Sequence, residues 1–465
     1  MPAKRFTRSL RLPAAASLIY VGIGMFTKGI GFLITPIFTR AMSEGEYGSF
    51  TLYISTLGIT TILVSSFTHG SSFFVGLKKY EDEKSDFFIS VILTTIVFSL
   101  LICTLLFAFS RYFGLNRQLL LALTLQLILD CVVSIYLCAL RFSYRYKSIA
   151  AITVFEAVTA PIFAILLINV GVAGDYARVL SLLSVSFITA IYSFYMLHPF
   201  RGRVRLEVIK YNLKISFPHI PSALSSAVTA QADKLIITAL LGAVALAKYS
   251  VAHSLGIALS FLVTAIGSAL TPWIVRHLES DKEEKIPSVI LLIFKILSML
   301  TLFLVALSPE ALRFLAPLEY SEALSAVLPI ALSTIPAFLL SVSSVGIIRF
   351  GKSRYSVYIA LLGAAFNILL NFMLIPYFGY LGAGIALLLS KTVEAVISVF
   401  FLGRCTKSYL PKTNGLLSLS ALTLLMGVII ALSYRDLPLR ILLLAVPSVI
   451  AMNSLFSAKN LILEN

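Results

Sequence analysis

The sequence predicts an all-α protein that crosses a membrane about fourteen times. Of its 465 residues, 59% are hydrophobic and only 12% are charged, about half of the charged share of a soluble domain, and the mean hydropathy is +0.97. The apolar runs are continuous rather than alternating, and each exceeds the roughly ten residues of a barrel strand. Helices are therefore the predicted element, since they satisfy their own backbone groups in lipid.

The apolar stretches define the spans in order along the chain. They run over 14–38, 46–76, 87–110, 118–140, 149–172, 177–197, 214–241, 247–273, 286–308, 323–348, 355–376, 380–403, 414–433 and 438–457. The first span follows a basic stretch, as a signal peptide does, but its alanines 14–16 precede the apolar core. That order predicts a retained helix.

An internal repeat divides the chain into two lobes. Residues 33–48 align without gaps on 235–250, and 171–174 align on 379–382. Because each copy holds an even number of helices, both copies enter from the same side and form parallel lobes. We expect a six-helix N-terminal lobe over 1–198, a cytoplasmic inter-lobe loop that acts as a hinge over 199–213, a second six-helix lobe over 214–403 and two additional helices over 404–465.

The net charge of +16 reports membrane topology. Most Lys and Arg residues lie at the N-terminus and in every second loop, so the positive-inside rule places both termini in the cytoplasm. The excess of Lys and Arg residues predicts contact with anionic membrane lipids, and its distribution excludes nucleic acid as a partner.

Enzyme signatures are absent from the sequence. No HExxH, GxSxG or P-loop motif occurs, and the five histidines are scattered. The four cysteines have no CxxC spacing and are predicted to be small core residues. We expect neither a cofactor nor a metal ion, and the loops are too short for a glycan polymerase.

Eight ionisable residues lie inside spans, where a charge costs roughly 2.5 to 3.5 kcal/mol. They are Lys28, Asp130, Glu156, Asp233, Lys234, Lys295, Lys391 and Glu394. Pairing within the fold is one explanation, because Lys391 and Glu394 have i, i+3 spacing on one helix face. For the whole set we favour a hydrated cavity, since a protein that needs only stability uses apolar residues.

The members of this set differ in their expected roles. Lys28 lies too deep in span one to reach an interface and is expected to be a cavity cation, whereas Lys295 can snorkel and is left out. Asp130 and Glu156 are buried acids that suit either proton coupling or structure. Two amides one helical turn apart, Asn367 and Asn371, either join helices or line the cavity.

Several stretches together resemble a known family. They are Lys28 to Arg40 followed by Glu46-Tyr47-Gly48, Pro218 to Asp233 followed by Gly242 and Tyr249, and Asn371, Ile375-Pro376, Gly379 and Gly382-Ala383-Gly384. In order and spacing, residues 14–403 resemble the O-antigen and exopolysaccharide flippases of the multidrug/oligosaccharidyl-lipid/polysaccharide (MOP) exporter superfamily.

The resemblance implies two six-helix lobes around a cationic cleft that opens alternately to each membrane face. It also implies a polyprenyl-pyrophosphate-linked oligosaccharide as substrate, moved across the bacterial inner membrane with ion antiport, and a polysaccharide polymerase and a chain-length regulator as partners. The candidate substrate-binding residues are Lys28, Lys234, Lys391, Asn367 and Asn371, and the candidate ion-coupling or charge-pairing residues are Asp130, Glu156, Asp233 and Glu394.

Alternatives remain open at this point. A drug or cation antiporter of the same superfamily prefers an acidic, aromatic cavity, and Asp130, Glu156 and Asp233 are compatible with it. The fourteen spans also resemble lipid II flippases, and span two carries Thr68-His69-Gly70 with no basic residue at mid-depth. A membrane scaffold that does not transport is a further alternative.

Overall fold

The structure, a computed structural model, is helical and without strands in the part of the chain that it describes. This part comprises residues 22–27, 29–68, 70–108, 116–279, 285–404, 411, 413–445 and 447–449. Twelve helices in these ranges are long and apolar enough to cross a bilayer, and Leu437–Val449 is a shorter apolar helix. The predicted all-α, multi-pass fold is confirmed.

The helices are numbered here in chain order. They are α1 Gly22–Ala41, α2 Glu44–Val64, α3 Gly70–Lys79, α4 Lys84–Ala108, α5 Arg117–Phe142, α6 Tyr146–Asn169, α7 Gly174–Leu197, α8 Leu206–Ser216, α9 Ile220–Leu241, α10 Ala243–Gly256, α11 Ser260–Glu279, α12 Lys285–Leu315, α13 Leu324–Leu332, α14 Thr334–Arg349, α15 Ser353–Gly403, α16 Thr413–Leu432 and α17 Leu437–Val449.

The chain divides into two compact units, residues 1–247 and 248–465. The sequence repeat instead places the lobe boundary within 199–213. Helix α9 belongs to unit 1 because it packs along α2: a Cβ added to Gly48 would meet the backbone of Ala243, and one added to Gly58 would meet Gln231. These two contacts make α2 and α9 antiparallel and closely packed. The lobe assignment from the repeat stays a prediction.

In unit 1, α7 packs against both α5 and α6, and these three helices carry most of the polar side chains described below. The first turn of α2 is fixed by a capping box, in which Glu46 accepts from the Ser43 amide at 2.9 Å. The second oxygen of Glu46 accepts from the amide of Gly174 at 2.9 Å. This carboxylate therefore joins the N-termini of α2 and α7.

The segment expected to be a hinge is partly helical and docked. Its residues 206–213 form most of α8, which packs against α3 and α4. The guanidinium of Arg205 contacts Glu83 and Asp86, each at 2.6 Å. A Cβ added to Gly202 would collide with the backbone at Ser85. Within unit 1 this connection is therefore held against α4.

In unit 2, α15 packs against α13 and α14, and α16 packs against α12. Arg440 of α17 is 2% exposed; it donates to the Ala306 carbonyl and forms a fork with Glu310 of α12 at 2.6 and 2.9 Å. An ion pair therefore joins α17 to α12, and α16 contacts α12 by packing.

Several predicted spans are interrupted, two of them at or near a glycine or proline residue. Helix α15 contains two spans, and Gly379 between them has φ 59° and ψ −143°, a conformation that glycine adopts readily and other residues do not. Span ten is divided at Ser333, because Pro336 has no N–H to donate to the carbonyl one turn earlier. Span eight is likewise two helices, α10 and α11.

Candidate functional site

Asp130 lies near the middle of α5 in a small hydrogen-bond network. Its Oδ1 accepts from Nε2 of Gln126, one turn earlier, at 2.8 Å and from Oγ of Ser186 on α7 at 3.1 Å. The Gln126 amide also donates to Ser186 at 2.6 Å. The carboxylate faces a small cavity of about 20 Å³, whose polar lining includes Thr61, Ser65, Thr68 and Ser134. It is a polar site inside the membrane-spanning part of unit 1.

Glu156 of α6 also forms a hydrogen bond with α7. Its Oε1 accepts from the hydroxyl of Thr189 at 2.8 Å. Ser186 and Thr189 are three residues apart, so the two acids attach to one face of α7 within a single turn. Sequence spacing could not predict this pairing, because the partners are 56 and 33 residues apart along the chain.

Sequence reasoning missed Arg178. It is the second residue of the predicted span 177–197, a position from which arginine normally reaches the membrane surface. In the structure it is half-buried, with its guanidinium carbon 3.8 Å from the ring centroid of Phe38 and 4.2 Å from that of Phe50. It shares a cavity of about 180 Å³ with Glu156.

Helix α9 carries the two adjacent charges predicted from the sequence. Asp233 is 5% exposed, and its Oδ1 accepts from the amide of Lys234 at 2.8 Å. The Lys234 ammonium donates to Oε1 of Gln231 at 2.9 Å. Because Gln231 lies against Gly58 of α2, this cation is held beside α2. Lys28, the other candidate cation of this half of the chain, lies outside the described residues.

In unit 2, Lys391 and Glu394 form an ion pair on α15. The ammonium lies 3.0 and 2.9 Å from the two carboxylate oxygens, and Glu394 is 3% exposed. The carboxylate packs against Gly363, on the other half of the same helix, so closely that a Cβ there would collide with it. This pair lies within unit 2, whereas the Lys234 site lies within unit 1.

The two candidate amides form a ladder next to this pair. Asn367 donates to Oγ of Ser390 at 3.0 Å, and Asn371 donates to the backbone and side-chain oxygens of Asn367 at 2.9 and 3.0 Å. Both side chains are buried. The Oδ1 of Asn371 has no hydrogen-bond partner among the described residues. The ladder joins the two halves of α15 and leaves one acceptor free.

Lys295 does not belong to the candidate set. It lines a separate apolar cavity between α12 and α16, together with Met299 and Leu422. Within the described ranges, no three His, Cys, Asp or Glu side chains come together as they would to hold a metal ion.

A many-spanning helical bundle that keeps charged and amide side chains inside its spans has the construction of a membrane transporter. Comparison with known families identifies the family to which the chain belongs. The model of a family described as polysaccharide biosynthesis protein matches residues 14–278, more than half of the chain, and the MatE family model matches 218–373. The chain belongs to the polysaccharide biosynthesis protein family.

Solved structures share the fold at low sequence identity. The lipid II flippase MurJ in an inward closed conformation has a TM-score of 0.71 at 14% identity, covering 96% of this chain and 99% of its own. An inward-facing multidrug resistance MATE family transporter of the MOP superfamily has a TM-score of 0.64 at 14% identity, covering 85% and 95%. A MOP superfamily transporter from Pyrococcus furiosus, described as having a binding pocket of reverse polarity, has a TM-score of 0.54 at 16% identity, covering 86% and 94%. No curated protein sequence matches the chain.

Proposed function

We propose that this protein is a flippase for a polyprenyl-pyrophosphate-linked oligosaccharide, an O-antigen or exopolysaccharide repeat unit. It moves this substrate across the bacterial inner membrane by alternating access, coupled to ion movement. The observation that carries the proposal is the set of charged and amide side chains inside the spans of both units. Membership of the polysaccharide biosynthesis family supports the class of substrate.

The chemistry of such a substrate fits these side chains. Each sugar hydroxyl costs about 2–7 kcal/mol to bury without a hydrogen bond, so unaided flipping of an oligosaccharide is negligible. The amides of Asn367 and Asn371 are suited to sugar hydroxyls, and the free Oδ1 of Asn371 is an unused acceptor. The cations Lys28, Lys234 and Lys391 are assigned to the pyrophosphate.

The acids are assigned to ion coupling. Asp130, Glu156, Asp233 and Glu394 are the four carboxylates that the spans carry in their interior. The contacts of the first two with hydroxyls of α7 make them candidates for binding and releasing a cation or proton as that helix moves. Both termini are proposed to be cytoplasmic, and a polymerase and a chain-length regulator are the expected partners.

A deletion strain tests the proposal. Without this protein, cells should lose surface polysaccharide and accumulate the lipid-linked repeat unit on the inner side of the membrane. Lys28→Ala and Lys234→Ala proteins, expressed at the wild-type level, should fail to restore the glycan. Lys295→Ala is the matched control, because it removes a span lysine outside the candidate set. Normal surface glycan in the deletion strain would contradict the proposal.

A multidrug or cation antiporter is the second candidate. The MatE match and the buried carboxylate of Asp233 favour it. Cation efflux that survives Lys28→Ala but not Asp233→Asn would support this function instead. A lipid II-type flippase is the third, favoured by the fold likeness to MurJ. It predicts accumulation of the peptidoglycan precursor on depletion, with the surface polysaccharide precursor unchanged.

A further inference from the structure

Arg178 is a cation inside unit 1 that forms no ion pair with a carboxylate of the residues that the structure describes. Its guanidinium lies over Phe38 and Phe50, which are 1% and 7% exposed, so the rings cover its planar surface. The phenol of Tyr47 is the polar group that interacts with its charge. Stacking of this kind stabilises a guanidinium, but it uses none of the five N–H donors at the edge of the group.

The cavity beside Arg178 offers room for a ligand. It has a volume of about 180 Å³ and is lined by Thr27, Gly31, Glu156 and Ser181 as well as by Arg178. Glu156, which shares this lining, accepts a hydrogen bond from Thr189 and forms no ion pair with Arg178 among the described residues. The guanidinium therefore defines the cationic end of the cavity.

We propose that Arg178 holds an oxyanion, a phosphate or carboxylate group, at the cationic end of this cavity. A guanidinium whose surface is covered by aromatic rings presents its donors only at the edge, and that edge matches two oxygens of a phosphate or carboxylate in a bidentate contact. Burying a cation is costly unless it is paired, and a bound oxyanion supplies the missing partner. The proposal does not depend on the proposed glycan substrate.

The test measures anion binding by the full-length protein. Purified protein in nanodiscs of phosphatidylcholine is titrated with inorganic pyrophosphate in a calorimeter. Arg178→Gln should weaken binding by about tenfold or more, because both charge-assisted hydrogen bonds are lost. Arg435→Gln removes the same charge from an exposed position in unit 2 and should leave the affinity unchanged.

A second arm separates the two sources of phosphate. Protein purified from membranes that contain phosphatidylglycerol is examined by native mass spectrometry. Loss of a retained phosphatidylglycerol in Arg178→Gln identifies a lipid headgroup as the ligand, whereas a change confined to the pyrophosphate titration identifies a soluble or substrate phosphate. Either result supports the oxyanion site.

Arg178→Lys keeps the test decisive if the glutamine variant does not fold. Lysine retains the charge but lacks the planar fork, so its affinity should fall between those of the wild type and the glutamine variant. The proposal is overturned if the folded variants bind pyrophosphate and lipid as the wild type does. It is also overturned if the wild type binds neither, in which case the arginine serves packing against the rings.

Discussion

The ion pair between Lys391 and Glu394 allows the structural and functional explanations of a buried charge to be separated. At 2.9 Å and an effective dielectric constant of about 20, the Coulomb attraction is about 6 kcal/mol, and the cost of desolvating both groups offsets much of it. Removing one partner leaves the other charge without compensation and typically costs about 3–5 kcal/mol. We therefore expect Glu394→Gln to lower the free energy of unfolding by about 3 kcal/mol.

Removing both charges should restore most of that stability. In the double variant Lys391→Met/Glu394→Met, no charge remains in the span, and methionine is an unbranched, flexible side chain that adapts to the space beside Gly363. We expect a free energy of unfolding within about 1 kcal/mol of the wild type. The measurement is reversible unfolding of the purified protein in detergent, completed as a double-mutant cycle with both single variants.

The same double variant also reports on function. If Lys391 binds the pyrophosphate, as proposed, the double variant is stable but does not restore surface glycan. Normal glycan from a stable double variant would assign the pair to structure alone and refute the substrate role of Lys391. A double variant destabilised by the sum of the two single effects would refute the reasoning about the pair itself, because the charges would then contribute independently.

Two further predictions concern stability. Gly379→Ala should destabilise the protein by about 1–3 kcal/mol, because alanine is strained at φ 59°. The control is Gly403→Ala, which has open space around its Cβ and should leave the free energy of unfolding unchanged in the same assay. Equal effects of the two substitutions would show that the turn at Gly379 is not strained. Glu310→Ala should cost about 1–3 kcal/mol by removing the fork acceptor of the buried Arg440, and limited proteolysis should then cleave before α16 earlier than in the wild type. Unchanged proteolysis would show that apolar contacts alone fasten the C-terminal helices.

Hydropathy predicts most of the spans because lipid leaves the backbone no alternative to the helix. The i, i+3 spacing likewise points to contact between Lys391 and Glu394, since it depends only on local helix geometry. Interruptions are harder to predict: Pro336 and Gly379 are visible in the sequence, but many membrane helices continue through such residues.

Contacts between helices could not be predicted from the sequence. Asp130 was selected as a buried acid, but its partner Ser186 is an ordinary residue of another span, and nothing in the sequence distinguishes it. Arg178 was passed over because its position near the start of a span resembles that of a surface-seeking arginine. Its burial depends on Phe38 and Phe50, which are about 130 residues away along the chain.

The attachment of two acids to one turn of α7 has a mechanical consequence. Ser186 and Thr189 hold Asp130 and Glu156 from neighbouring positions, so a rotation of α7 about its own axis carries both hydroxyls away together. A rotation by one residue, about 100°, is enough to break both contacts, and a slide by one turn, about 5.4 Å, offers each acid a different part of the helix. We therefore expect the hydrogen bonds from α7 to the two carboxylates to form and break together.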